Sequence, residues 1–177
     1  MPFDNEQADS GLLVFSRVVE DEVIDFANNV DIDLAVLCPW AELVQVIIEA
    51  KHGQTGVDTG LGIRFNGDSA GNYDNQFHFV SGTSISASLV PTRSSIYFGE
   101  LNDTELDNGM FVALITPKNR GKYPSCMYDL NLSDGGTRTM YRNQAGWKNT
   151  VDDITNINVY AVASNKVSCK ITARAWR

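Results

Sequence analysis

Val167-Ser168-Cys169-Lys170-Ile171-Thr172-Ala173-Arg174 is the stretch on which the fold turns. Val167, Cys169, Ile171 and Ala173 fall on one side of an extended chain, and Ser168, Lys170, Thr172 and Arg174 on the other. A period of two is the mark of a strand with one face in a core and one in water. Just upstream, Ile157, Val159 and Ala161 alternate with Asn156, Asn158 and Tyr160. Ala163-Ser164-Asn165-Lys166 lies between the two stretches and predicts a C-terminal hairpin.

The same period recurs towards the N-terminus. Val44, Val46, Ile48 and Ala50 oppose Gln45 and Glu49. Further strands are expected over 12–19, 22–26, 61–65, 76–80, 84–89, 95–98, 110–116, 125–132 and 138–141. Asn66-Gly67-Asp68, Asp107-Asn108-Gly109, Asn119-Arg120-Gly121 and Ser133-Asp134-Gly135-Gly136 punctuate them with turn chemistry. Met110–Ile115 is apolar throughout, as in a strand covered on both faces or buried against another subunit. The best helical segment is 31–43, but Pro39 interrupts it, which leaves a short turn near Pro39-Trp40-Ala41. The expected fold is all-β: an antiparallel two-sheet β-sandwich, jelly-roll-like, of about ten strands with at most short helices. Residues 11–177 form its single domain, and the polar, acidic residues 1–10 a flexible N-terminal arm.

Composition narrows the function. The 177 residues carry 14 basic and 22 acidic side chains, a net charge of −8, which disfavours nucleic acid and anionic membrane as partners. No apolar run reaches the roughly 18–20 residues that span a bilayer. Met1–Ser10 holds acids where a signal peptide holds bases, so the chain is expected to stay in the cytosol or to be assembled there. Cys38, Cys126 and Cys169 are odd in number and widely spaced, which suggests neither disulfides nor a zinc site. Cys126 and Cys169 sit on apolar faces and read as small buried hydrophobes.

Catalytic chemistry finds little footing. His52 and His78 are the two histidines, and neither a GxSxG elbow nor a phosphate loop accompanies them. Glu20-Asp21-Glu22, Asp25, Asp31 and Asp33 read as a solvated acidic stretch rather than a glycosidase pair. The protein is therefore expected not to be an enzyme, and to need no cofactor. Calcium is the one ion worth weighing, at those acids or at Asn66–Asn75.

The segment Gly60–Asn75 stands apart. It reads as a strand carrying Ile63 and Phe65, broken at Asn66-Gly67-Asp68 and followed by a small loop pinned by Tyr73. It resembles the "RFN(G)D…NY" signature of structural proteins of tailed bacteriophages. In those proteins a Gly-Trp, a Thr and an Ile-x-x-Ile strand follow near the C-terminus. Here they correspond to Gly146-Trp147, Thr150 and Ile154-Thr155-Asn156-Ile157. The likeness spans residues 12–177 in order and departs at the end, where this chain closes with Ala173-Arg174-Ala175-Trp176-Arg177.

The resemblance implies a virion protein of β-sandwich type, made in the host cytoplasm. Its first implied role is a capsid decoration or cement protein that binds the major capsid protein on the outer shell, as a homo-oligomer with a trimer favoured. The alternative is a tail or adsorption protein that binds host-surface glycan through loop aromatics. Arg64, Asn66, Asp68 and Tyr73 are expected to form a structural turn motif. Leu12, Val14, Trp40, Trp147 and Trp176 are the candidate subunit or ligand contacts, with Trp147 expected to anchor the sheet beside the final hairpin.

Overall fold

The computed structural model describes residues 13–24, 28–52, 59–81, 83–101, 108–118, 121, 124–134, 137–149, 151–162 and 165–177. The elements run β1 (Leu13–Ile24), β2 (Val30–Asp33), α1 (Leu34–Leu37), β3 (Leu43–His52), β4 (Thr59–Phe65), β5 (Tyr73–Ser81) and β6 (Ser84–Arg93). They continue as β7 (Ile96–Leu101), β8 (Asn108–Ile115), β9 (Ser125–Asp134), β10 (Thr137–Trp147), β11 (Asn156–Ala161) and β12 (Asn165–Trp176).

One sheet has eight strands, in the order β1-β12-β3-β8-β9-β10-β5-β6. The other has four, β2-β11-β4-β7. Every pairing is antiparallel. The pairs β1·β12, β2·β11, β3·β8 and β4·β7 nest from the chain ends inward and alternate between the sheets. That is a long hairpin rolled on itself, and so a jelly roll. Two hairpins are spliced into it. β5-β6 follows β4, β9-β10 follows β8, and both extend the larger sheet beyond β8.

The alternation in β12 does what its sequence demands. Val167, Cys169, Ile171, Ala173 and Ala175 are all buried, while Lys170 and Arg174 are exposed. β12 is also doubly paired: Cys169 lies opposite Val19 of β1 and Ala50 of β3. Aromatic contacts fasten one sheet to the other. Phe98 of β7 meets Tyr128 of β9 edge-on at 4.9 Å between centroids, and Phe65 of β4 meets Trp147 of β10 at 5.9 Å.

Four expectations are corrected. The C-terminal hairpin does not form: β11 pairs with β2 and β4, whereas β12 pairs with β1 and β3 in the other sheet. Each strand buries its apolar side against the opposite sheet, so the connection crosses the core's edge instead of turning back. The short helical turn expected near Pro39-Trp40-Ala41 forms earlier, as α1 over Leu34–Leu37, and is preceded by β2, in which Val30 and Ile32 alternate with Asp31 and Asp33. The strands expected over 12–19 and 22–26 form one strand, and a bulge between Val19 and Glu22 takes the place of the acidic turn. Met110–Ile115 is not covered on both faces. Phe111, Ala113 and Ile115 are buried, but Met110 is 46% exposed and Val112 and Leu114 are half-buried. The expected arm, residues 1–10, lies outside the described residues.

Candidate functional site: a polar clamp and an open sheet face

β4 ends at Phe65, and the chain then turns through Asn66 (φ 53°) and Gly67 (φ 69°). Two successive left-handed residues make a tight reversal, which asparagine and glycine tolerate best. Asp68 N closes it by donating to the Phe65 carbonyl at 2.9 Å.

Each polar side chain of this turn then reaches a distant segment. Asn66 Oδ1 accepts from Thr155 N at 2.8 Å, Thr155 Oγ1 at 3.1 Å and Asn156 N at 3.0 Å. Its amide donates to the Asp153 carbonyl at 2.9 Å. Gly67 N donates to Asn158 Oδ1 at 2.9 Å, and the Asn158 amide donates in turn to Asp31 of β2. Asp68 accepts from Trp147 Nε1 at 2.7 Å, the Asn72 amide at 3.0 Å and Ala70 N at 2.9 Å. The Tyr73 hydroxyl accepts from Phe65 N at 2.9 Å and lies 3.2 Å from the Asp68 carbonyl, to which it donates. Arg64 donates from Nε to the Ser94 carbonyl at 3.1 Å and lays its guanidinium over the Tyr160 ring at 4.6 Å.

The four residues of the turn motif, Arg64, Asn66, Asp68 and Tyr73, are thus brought together, and their polar atoms are spent inside the molecule. They clamp β4 to β11 and β2 in one sheet and to β5 and β10 in the other. Burial raises the Asp68 carboxyl, but the three hydrogen bonds and the Arg64 charge outweigh it and hold the group below the ordinary value of 3.8. Burial drives the Tyr73 phenol well above its ordinary value, so it stays a neutral donor.

The two carboxylates of Asn66–Asn75, the stretch weighed for calcium, are both engaged with donors. The Asp68 oxygens face N–H donors, and Asp74 faces Lys148 Nζ at 2.8 Å.

The proposed contact residues fare unequally. Trp147 is 2% exposed and its indole N–H serves the clamp, so it offers no surface to a subunit or a ligand. The Tyr73 ring, fully buried, offers none to a sugar either. Trp40 and Trp176 are half-buried; the Arg177 guanidinium lies 5.2 Å from the Trp40 ring centroid. Val14 lies on β1 opposite Arg174. Leu12 falls outside the described residues.

Sequence reasoning missed the outer face of the large sheet. Register places Leu114, Met127, Gln144, Gln76 and Leu89 in one row across β8, β9, β10, β5 and β6. The next row is Val112, Asp129, Arg142, His78 and Ala87. Met127 is 56% exposed, Leu89 66% and Ile85 80%. Arg142 Nε meets Asp129 Oδ1 at 3.2 Å within this face. The result is a broad, gently polar surface set with exposed apolar side chains. The signal for it lay in Met110–Ile115, where the second apolar set, Met110, Val112 and Leu114, already exceeded what a one-sided core requires.

No family model matches the chain, and no curated protein matches it. Among solved structures it is similar to a Lotus tetragonolobus seed lectin isoform at 6% identity, over 98% of this chain and 96% of that one, with a TM-score of 0.21. It is also similar to the infectious bursal disease virus VP2 subviral particle at 11% identity, over 93% of this chain and 41% of that one, with a TM-score of 0.15. At such scores neither likeness carries an argument about this chain.

Proposed function

We propose that the protein is a virion structural protein of a tailed bacteriophage, and specifically a decoration or cement protein of the capsid. It acts by adhering and not by turning over a substrate. The observation that carries this reading is the outer face of the eight-stranded sheet. Two inserted hairpins enlarge one sheet of the jelly roll well past its four-stranded partner, and the surface so gained exposes Met127, Leu89 and Ile85. Exposed apolar side chains gathered on one sheet face favour an interaction surface, where the same residues scattered singly would not. The clamp supports the same reading, because the residues that carry the phage-protein resemblance hold the sandwich rigid behind that face.

The partner is the outer surface of the assembled shell, formed by the major capsid protein. A protein that binds only the assembled shell stabilises it by mass action. The net charge of −8 keeps the protein from competing for the packaged genome.

The test is cosedimentation with empty, expanded phage heads. The protein is expected to saturate at a fixed copy number per capsomer, and Met127→Asp to abolish binding while leaving its own melting temperature unchanged. Binding to host glycan without heads, or heads that carry none of the protein, would contradict the reading.

A further inference from the structure

Sheets end in edges, and an edge strand offers unpaired N–H and C=O groups to any passing strand. Among the described residues this jelly roll has four edges, and three are blunted. β1 carries Arg17, Glu20 and Glu22 and a bulge after Val19. β2 is four residues long and includes Asp31 and Asp33. β7 carries Glu100, and its pairing with β4 shifts register between Leu61 and Gly62.

β6 keeps a long regular stretch free of these defences, since its one register shift against β5 falls beyond Val90. It is ten residues long, Ser84-Ile85-Ser86-Ala87-Ser88-Leu89-Val90-Pro91-Thr92-Arg93, and carries no charge before Arg93. Every residue except half-buried Val90 is exposed. Pro91 and Thr92, the latter at φ 59°, stop the regular edge after Val90.

The sequence of this edge is also close to a palindrome. Turned about Ala87, Ser86 falls on Ser88 and Ile85 on Leu89. A two-fold axis needs that property, since an antiparallel strand paired with its own copy sets residue i against its mirror position. Ile85 of one copy would then cover Leu89 of the other on the outer face, with serine facing serine behind. The lack of charge matters as much, because like charges placed opposite each other at a two-fold contact repel.

We propose that β6 pairs antiparallel with β6 of a second copy of this chain about a two-fold axis at Ala87, joining two eight-stranded sheets into one. This inference does not rest on the capsid reading. It also departs from the trimer favoured by the sequence resemblance, since one edge pairs with one other edge.

Three variants and a mass measurement test it. By sedimentation equilibrium across the micromolar range the protein is expected to have the mass of two chains. Ala87→Lys sets two ammonium groups face to face and is expected to weaken the dimer about tenfold or more, with the melting temperature of the monomer unchanged. Ala87→Cys brings two sulfurs across the axis, where paired Cα atoms stand about 4.5–5.5 Å apart, within disulfide reach. Ile85→Cys leaves its two copies four residues out of register, about 13 Å apart along the strand. Mild oxidation is therefore expected to cross-link A87C and not I85C; the native cysteines, all buried, do not compete. A single-chain mass overturns the proposal, and an edge that accepts strands only from other proteins gives that result. So does an assembly of any size that A87K leaves intact, or in which A87C and I85C cross-link equally.

Discussion

Asp68 carries more of the fold than its position on a surface turn suggests. Its carboxylate receives three N–H groups, one of them from Trp147 across the sandwich. Trp147→Phe strips the carboxylate of that donor and, because phenyl is smaller than indole, also leaves a cavity, so it is expected to cost more than the roughly 1–3 kcal/mol of the lost donor alone by chemical denaturation. Because the folded-state value of Asp68 lies below the unfolded one, its contribution is present above about pH 4 and fades as pH falls through the folded-state value. Asp68→Asn is expected to flatten that part of the acid-unfolding profile; a profile parallel to the wild type would show that the group contributes nothing. Burial pushes the Cys38 and Cys169 thiols up to about 11, and Cys126 higher still. A thiol reagent at neutral pH is thus expected to label none of the three in the folded protein and all three in denaturant. Arg64, Asn66, Asp68 and Tyr73 were legible as a turn because each is a local turn or pinning residue. Their partners at 153–158 and Trp147 were not, since nothing local ties Asn66 to Thr155.

At the scale of elements, the two-residue period told where most strands lie and, in β3 and β12, which side is wet, whereas β11 is buried on both sides. β12 and β3 follow it residue by residue, as Ile171, Val46 and Ile48 lie in the core. The period does not say which sheet a strand joins. β11 and β12 were legible as strands, but their pairing was not, because a short polar link serves a crossing between sheets as readily as a turn. β2 escaped notice for a related reason: four residues hold two apolar positions, too few to outweigh the helix-compatible Leu34-Ala35-Val36-Leu37 that follows. β8 offers the cleanest check of its two faces. Phe111→Ala is expected to cost about 3–5 kcal/mol, because it empties a fully buried site between Phe98 and the sheet. Met110→Lys, on the outer side, is expected to change stability by less than about 0.5 kcal/mol. Equal losses in urea melts would mean that β8 is covered on both sides, as in an obligate assembly.

For the molecule as a whole, the nested pairing of β1·β12, β2·β11, β3·β8 and β4·β7 makes a rigid two-layer body, and the spliced hairpins make it asymmetric. One sheet is wide, with exposed apolar side chains on its outer face, and its far edge is β6. Composition and period sufficed for a two-layer all-β fold, because strands with one apolar side need a second sheet to bury it. They did not locate the outer face of the large sheet, which exists only once five strands stand side by side in register. The most direct measurement is the thermal melting of empty, expanded phage heads with and without the protein. Heads that carry it at a fixed copy number per capsomer are expected to melt at a higher temperature, and Met127→Asp to return them to the bare value. Unchanged melting at saturating protein, or an increase that survives M127D, would contradict the claim that this face grips the shell.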